Sequence, residues 1–285
     1  MLGNEKTGRR VLELPESLSA ALEAESRRAG RDPEALALEA LRRGLGLPGA
    51  ERTVYLSAPV NALLEGIYRQ STSLAELKRQ GDFGLGTFND LDGELTLLDG
   101  VVYQIRGDGS VSTPDDQTRT PFACVSFFTP DTTEDFAAPN GSFDAREFED
   151  LLLRLIPSEN MLYCLRVDGE FETVKTRSVP RQESYRPLVE VTAEQPVFEF
   201  EDLRGTLVGF YAPAFMQSLV VPGVHLHFLS EDRTKGGHLL ACRPRQARVG
   251  VQHAPRLTLG LPMTLDFLTA SFTRPVEADL QKAER

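Results

Sequence analysis

Apolar positions recur along this chain in two rhythms, one near its start and another over the rest. Between residues 16 and 29, Leu18, Ala21, Leu22 and Ala24 fall at helical spacing. Pro15 opens that segment and Gly30 closes it. Asp32 and Pro33 then read as an N-cap and a first-turn proline, starting a second helix. Its apolar residues Leu36, Leu38 and Leu41 run on to Gly44. Residues 10–14 alternate as a short strand ahead of both helices, and 46–50 read as a linker.

From Thr53 the rhythm shortens to strands and turns. Leu63, Leu64, Ile67 and Tyr68 predict a helix within 58–80, with a second helical piece over 73–80. Asp99-Gly100 between two apolar runs predicts a hairpin joining 92–98 to 101–105. A helix is expected over 143–155 and a strand over 161–167. Further strands are expected at 172–177, 206–211, 219–229, 238–242, 247–251 and 256–260. Strands mixed with a few helices give an α+β class. The expected divisions are an N-terminal extension at 1–50, a first α/β sheet domain at 51–190 and a metal-binding β-rich domain at 191–285. The glycines between Gly81 and Gly86 have the wrong spacing for a dinucleotide loop, and no helix follows them. A close-packed turn is expected there.

Charge narrows the partners. The net charge is −11 over 285 residues. Residues 1–50 hold eight basic and eight acidic side chains, so the remainder carries the whole excess. That argues against nucleic acid, whose phosphates would be repelled. It also means that an anionic substrate needs a local cation. Cys124, Cys164 and Cys242 lie far apart in apolar stretches, as buried reduced thiols do. No CxxC occurs, which argues against a thiolate zinc site. No leader-like apolar region follows the first residues and no run is long enough to span a bilayer, so the cytoplasm is the expected location.

Three of the four histidines fall within fourteen residues: His225, His227 and His238. On a strand, residues two apart share a face, so His225 and His227 project together. Lys235-Gly-Gly237 turns the chain back, and His238 begins a returning strand. Three imidazoles on one side of a metal leave positions open, the arrangement of a catalytic zinc rather than a structural one. Isolated histidines are more often half-buried sheet residues. Three converging ones favour a metal, because buried together they would be costly without one. A rival set, His225, His227 and Glu231, resembles the first metal motif of cupins. His253 lacks the flanking pattern that the cupin family requires, and that reading leaves His238 unused.

Two family resemblances follow. The strand–helix–helix order of 10–46 resembles a ribbon-helix-helix dimerisation unit. In that family the strand enters a DNA groove, whereas here Glu13 would face phosphate, so a dimerisation or docking arm is the expectation. From about Tyr55 onward the chain resembles acetolactate decarboxylase. The residues that carry this are Gly81-Asp-Phe-Gly-Leu-Gly-Thr-Phe-Asn-Asp-Leu-Asp-Gly-Glu94, Thr120-Pro-Phe, Lys175-Thr-Arg177, Arg204-Gly-Thr-Leu-Val-Gly-Phe210, His225-Leu-His-Phe and Gly236-Gly-His238.

The resemblance implies a homodimer of two-domain α+β subunits, two mixed sheets with flanking helices. It implies Zn2+ at each site and conversion of (S)-2-acetolactate to (R)-acetoin and carbon dioxide. His225, His227 and His238 match its zinc ligands. Glu94, Arg177 and Glu284 match its charged site residues, Thr87 a polar one, and Leu63, Leu91 and Val179 an apolar wall. The zinc would act as Lewis acid for the charge left when carbon dioxide departs, with no organic electron sink required. Arg177 would orient the anion or serve its oxyanion, and Glu94 would shuttle a proton. Taken singly, Glu94 reads as a hairpin edge residue, Arg177 as a surface ion pair and Thr87 as a turn cap. The competing function is a catalytically inactive metal-binding sensor, which has no need of Arg177 or the glutamates.

Overall fold

A computed structural model of the protein describes residues 12–30, 32–44, 52–139, 141–183, 191 and 195–273. The two N-terminal helices form as expected, α1 (Glu16–Ala29) and α2 (Pro33–Gly44). Gly30 closes α1 at φ 64°, its N–H donating to the Ser26 carbonyl. Asp32 caps α2 by accepting from the Ala35 N–H at 3.0 Å. Of the strand expected over 10–14, residues Leu12 to Leu14 are described and pair with no described strand. The expected linker at 46–50 lies outside the described residues.

α2 is tied to the body through charge. Arg52 Nε donates to Glu39 on α2 at 2.7 Å, and Arg52 Nη1 donates to the Asp131 carboxylate. The Asp32 N–H adds a bond to the Asp131 carbonyl at 3.1 Å. The Asp131 side chain is fully buried. Burial alone would raise its carboxyl, but hydrogen bonds from His253 and Arg52 overcome this and hold it well below the usual range.

Twelve strands form two sheets among the described residues. The strands are β1 (Thr53–Leu56), β2 (Phe83–Thr87), β3 (Glu94–Leu98), β4 (Val101–Ile105), β5 (Val111–Ser112), β6 (Ala123–Ser126), β7 (Thr132–Ala137), β8 (Leu162–Arg177), β9 (Val197–Ala212), β10 (Gly223–Ser230), β11 (Gly236–Ala254) and β12 (Arg256–Leu259). The first sheet runs β12-β1-β6-β2-β3-β4-β5. Its β1–β12 pair is parallel and the others antiparallel, which makes it mixed. The second runs β10-β9-β8-β11-β7, antiparallel throughout. Here β11 also pairs with β10, so β8, β9, β10 and β11 close on themselves. The sheets interleave along the chain. The second takes β7 and β8 from before residue 190, and the first takes β12 from after it.

Three apolar layers hold the α+β body together. Period-two alternation on β3 sends Leu95 and Leu97 toward α4 (Leu74–Lys78), where they meet Leu74 and Leu77. The opposite face of the first sheet, with Phe83, Leu85 and Cys124, packs on Cys164, Val208 and Phe210 of the second. The outer side of the second sheet, with Leu165, Leu226 and Phe228, is covered by Phe148, Leu151 and Leu152 of α5 (Ala145–Arg154). Both α4 and α5 start on full capping boxes, Ser73 with Glu76 and Asp144 with Glu147. All three cysteines are free and buried, as expected.

Some local expectations do not hold. The helix expected within 58–80 stops at α3 (Asn61–Leu64). Gly66, at φ 76°, ends it: the Gly66 N–H donates to the Leu63 carbonyl and the Ile67 N–H to that of Ala62. That is the paired Schellman closure, so Ile67 and Tyr68 continue off the helix. The glycine-rich stretch expected as a turn is the buried strand β2. A Cβ on Gly84 would fall on the Cys124 carbonyl, and one on Gly86 on that of Phe122. The glycines therefore allow close approach to β6 rather than a reversal. Finally, the segments expected at 161–167 and 172–177 are one strand, as are 238–242 and 247–251. Register shifts around Arg243 and Pro244 carry β11 past its proline.

Candidate metal centre and active site

The site forms where the inner faces of the two sheets meet. His225 and His227 sit on β10 opposite Phe210 and Val208, at positions where the inter-sheet core continues. Leu226 and Phe228, between and beyond them, turn to the α5 side. The reversal after Ser230 is pinned by its hydroxyl, which accepts from the Thr234 and Lys235 N–H groups. Gly237 then passes at φ 133° beside the Arg177 carbonyl. His238 emerges directly across from His227 on one side and Arg177 on the other. Strand register alone thus lines up two imidazoles and a guanidinium.

One ligand nitrogen from each of the three histidines lies within 4.8 Å of the others. His225 Nε2 and His238 Nδ1 face each other at 3.1 Å. His227 Nδ1 lies 2.9 Å from the Leu95 carbonyl of β3, an acceptor that can only take its proton. The tautomer is thereby fixed, and Nε2 is left with its lone pair toward the cluster. Burial pushes His225 down to about 3, aided by the positive Arg177. Burial, then the neighbouring His225, holds His227 well below its ordinary value, against the opposing pull of the Leu95 bond. Neutral imidazoles at physiological pH are the state that binds a divalent cation. The donor set therefore fits a metal ion.

The first sheet supplies the facing wall. Thr87 and Glu94 are register partners on β2 and β3. The Thr87 hydroxyl donates to the Gly93 carbonyl at 2.8 Å. Glu94 Oε2 lies 3.6 Å from His227 Nε2. Glu94, Arg177, His227 and His238 are 8%, 4%, 1% and 5% exposed. The loop before Glu94 is strained: Asp90 and Leu91 take φ 62° and 53°. The Asp90 N–H donates to the Tyr68 carbonyl, and its carboxylate accepts from Arg69 and Arg181. So held, the loop presents Leu91 to the site.

Thr87, Glu94, Arg177, Leu63, Leu91, Val179 and the three histidines all line one small cavity of about 60 Å³. Every site residue expected from sequence is therefore placed together except Glu284, which lies outside the described residues. Val60, Phe122, Val221 and Gln195 line it too and were not anticipated. The apolar three lie in ordinary core-like runs, and Gln195 lies in a stretch without periodicity. The cupin-like set does not assemble. Glu231 is exposed beyond the end of β10, and His253 bonds to Asp131 at 3.0 Å. A larger open groove of about 770 Å³ lies elsewhere, and several of its charges pair with one another, as Arg248 with Asp135 and Arg166 with Asp168.

A family described as alpha-acetolactate decarboxylase matches residues 54–274. The chain belongs to that family. The alpha-acetolactate decarboxylase of Bacillus subtilis strain 168 is 40% identical over 78% of this chain and 86% of its own length. That of Methanosarcina mazei is 40% identical over 83% of this chain and 81% of its own. The crystal structure of the Bacillus subtilis strain 168 protein superposes with a TM-score of 0.78 at 38% identity, covering 81% of this chain and 99% of that one. The family match takes in every described residue of the cavity. It leaves out α1 and α2.

Proposed function

We propose that this chain decarboxylates (S)-2-acetolactate to (R)-acetoin on a zinc held by His225, His227 and His238. The convergence of three imidazoles on a buried arginine and carboxylate carries this reading. A zinc so held supplies Lewis acidity to the oxygen that gains charge as carbon dioxide leaves.

The residues around it divide the remaining work. The bond between C1 and C2 breaks, carbon dioxide departs, and its electron pair delocalises toward the ketone oxygen. Arg177 is buried in the register row of His238 and attracts both the substrate carboxylate and the charge that moves to that oxygen. In this reading Glu94, beside His227, gives C2 the proton that replaces carbon dioxide and regains one from water. Leu63, Leu91 and Val179 supply an apolar wall that would receive the substrate's methyl groups. Thr87 fixes the Gly93 carbonyl and so the start of β3. Glu284 completes the set in this proposal, its carboxylate offsetting the cationic centre.

The test is chiral analysis of acetoin formed from racemic acetolactate, with and without a chelator. The expected result is (R)-acetoin with half the substrate consumed quickly, and none above background after chelation. Removal of Glu284 and Arg285 should leave zinc bound and lower turnover strongly, whereas loss of Arg285 alone should change little. Absence of acetoin from zinc-loaded protein would refute the activity. An unchanged rate without both terminal residues would remove Glu284 from the site.

A further inference from the structure

Gln195 lines the histidine cavity, and its Oε1 is buried with no hydrogen-bond partner among the described residues. A buried carbonyl oxygen without a donor is costly, and such groups in folded proteins are nearly always satisfied. The backbone explains how it reaches the site. Arg177 and Val197 are register partners, and the Ser178 N–H donates to the Pro196 carbonyl at 3.2 Å. Val179 and Gln195 each lie two residues beyond the Arg177–Val197 pair, and both line the cavity. Gln195 stands in the same wall as the guanidinium, on the cavity side.

Val179, Leu63 and Leu91 are apolar, and Glu94 is an acceptor when ionised. Arg177 is a donor in the same wall, and in the proposed reading it attracts the substrate carboxylate. A bound hydroxy acid brings a further donor. We propose that Gln195 is a substrate-selecting residue whose carboxamide oxygen accepts a hydrogen bond from the 2-hydroxyl of the bound acid. This rests on the proposed reading of the site as one for a 2-hydroxy-3-keto acid, whose tertiary hydroxyl is its one O–H donor when the carboxylate is ionised. A 2-keto or 2-alkyl acid of similar shape brings no donor and leaves Oε1 buried and unsatisfied. Discrimination of that origin is stronger than a methyl-sized pocket provides, because the penalty falls on the site as well as on the ligand.

The test uses zinc-loaded protein and two small competitive ligands, 2-hydroxyisobutyrate and isobutyrate, which differ by the hydroxyl alone. Their inhibition constants against acetolactate are compared in wild type, Gln195→Met and Gln195→Glu. A bound zinc would favour the hydroxy acid equally in all three proteins, so the change in the ratio isolates Gln195. Wild type should prefer the hydroxy acid. Gln195→Met, of similar length without an acceptor, should lose about tenfold of that preference with its zinc content unchanged. Gln195→Glu keeps an oxygen acceptor. It should weaken both anions together and retain the ratio. An unaltered ratio in Gln195→Met, or a ratio lost in Gln195→Glu, would overturn the assignment. If neither acid inhibits but titration calorimetry shows binding with the same ratios, the selection stands. Wild-type turnover of acetolactate is scored separately, so failure of the proposed activity is told apart from failure of the Gln195 role.

Discussion

At the scale of single residues, the site depends on which nitrogen of His227 carries the proton. Its Nδ1 sits 2.9 Å from the Leu95 carbonyl, so a strand of the first sheet orients a side chain of the second. The histidine triad was legible in the sequence because its signal is short-range: two residues on one strand face, a Gly-Gly reversal, and a third. Glu94 and Arg177 carry no such spacing. They come from different strands, and only family resemblance singled them out. Gln195 had neither kind of signal and emerged from its buried, unsatisfied oxygen. Arg177 provides a direct test of the residue-level mechanism. Arg177→Ala should lower kcat by about 10²–10⁴-fold, the range for loss of a positioned charge or proton donor. Arg177→Lys keeps the charge but loses the planar fork, so it should remain impaired. Single-turnover kinetics would check both, and a near-normal chemical rate in Arg177→Ala would exclude the role.

At the scale of elements, α1 and α2 were legible because their caps are local: Gly30 in the left-handed region and Asp32 on the Ala35 N–H. The helix expected over 58–80 failed for an equally local reason. Gly66 closes α3 after one turn, and a run of apolar residues at helical spacing continues past it as coil. The β2 glycines were misread because a close strand approach and a turn use the same residue type, and only the partner strand distinguishes them. No described residue of the arm lines the cavity, and the arm attaches through Ala35 and the Glu39–Arg52 pair. A truncated chain beginning at Glu51 should therefore retain zinc and turnover. Its thermal midpoint should fall by a few degrees, the equivalent of about 1–2 kcal/mol at this chain length. Calorimetry and the acetoin assay on the truncated protein check this. A soluble, zinc-loaded truncation with no turnover would assign the arm to the active site.

At the scale of the whole molecule, the site exists because two sheets that interleave along the chain are pressed face to face. Residues from β2, β3, β8, β10 and β11 meet at one cavity. That meeting was not legible from periodicity, which reports which face a residue occupies and not which sheet it opposes. The α+β class followed from the mixture of elements. The pairing of β12 with β1 and the closure of β10 on β11 needed the fold itself. The central claim is that this convergence binds a catalytic zinc. Elemental analysis after zinc loading and exhaustive dialysis tests it most directly, run on wild type and His227→Ala with circular dichroism to confirm folding. The account predicts about one zinc per chain in wild type, and a folded His227→Ala protein with essentially none and no acetoin formation. A His227→Ala protein that keeps one zinc per chain and wild-type turnover would contradict it.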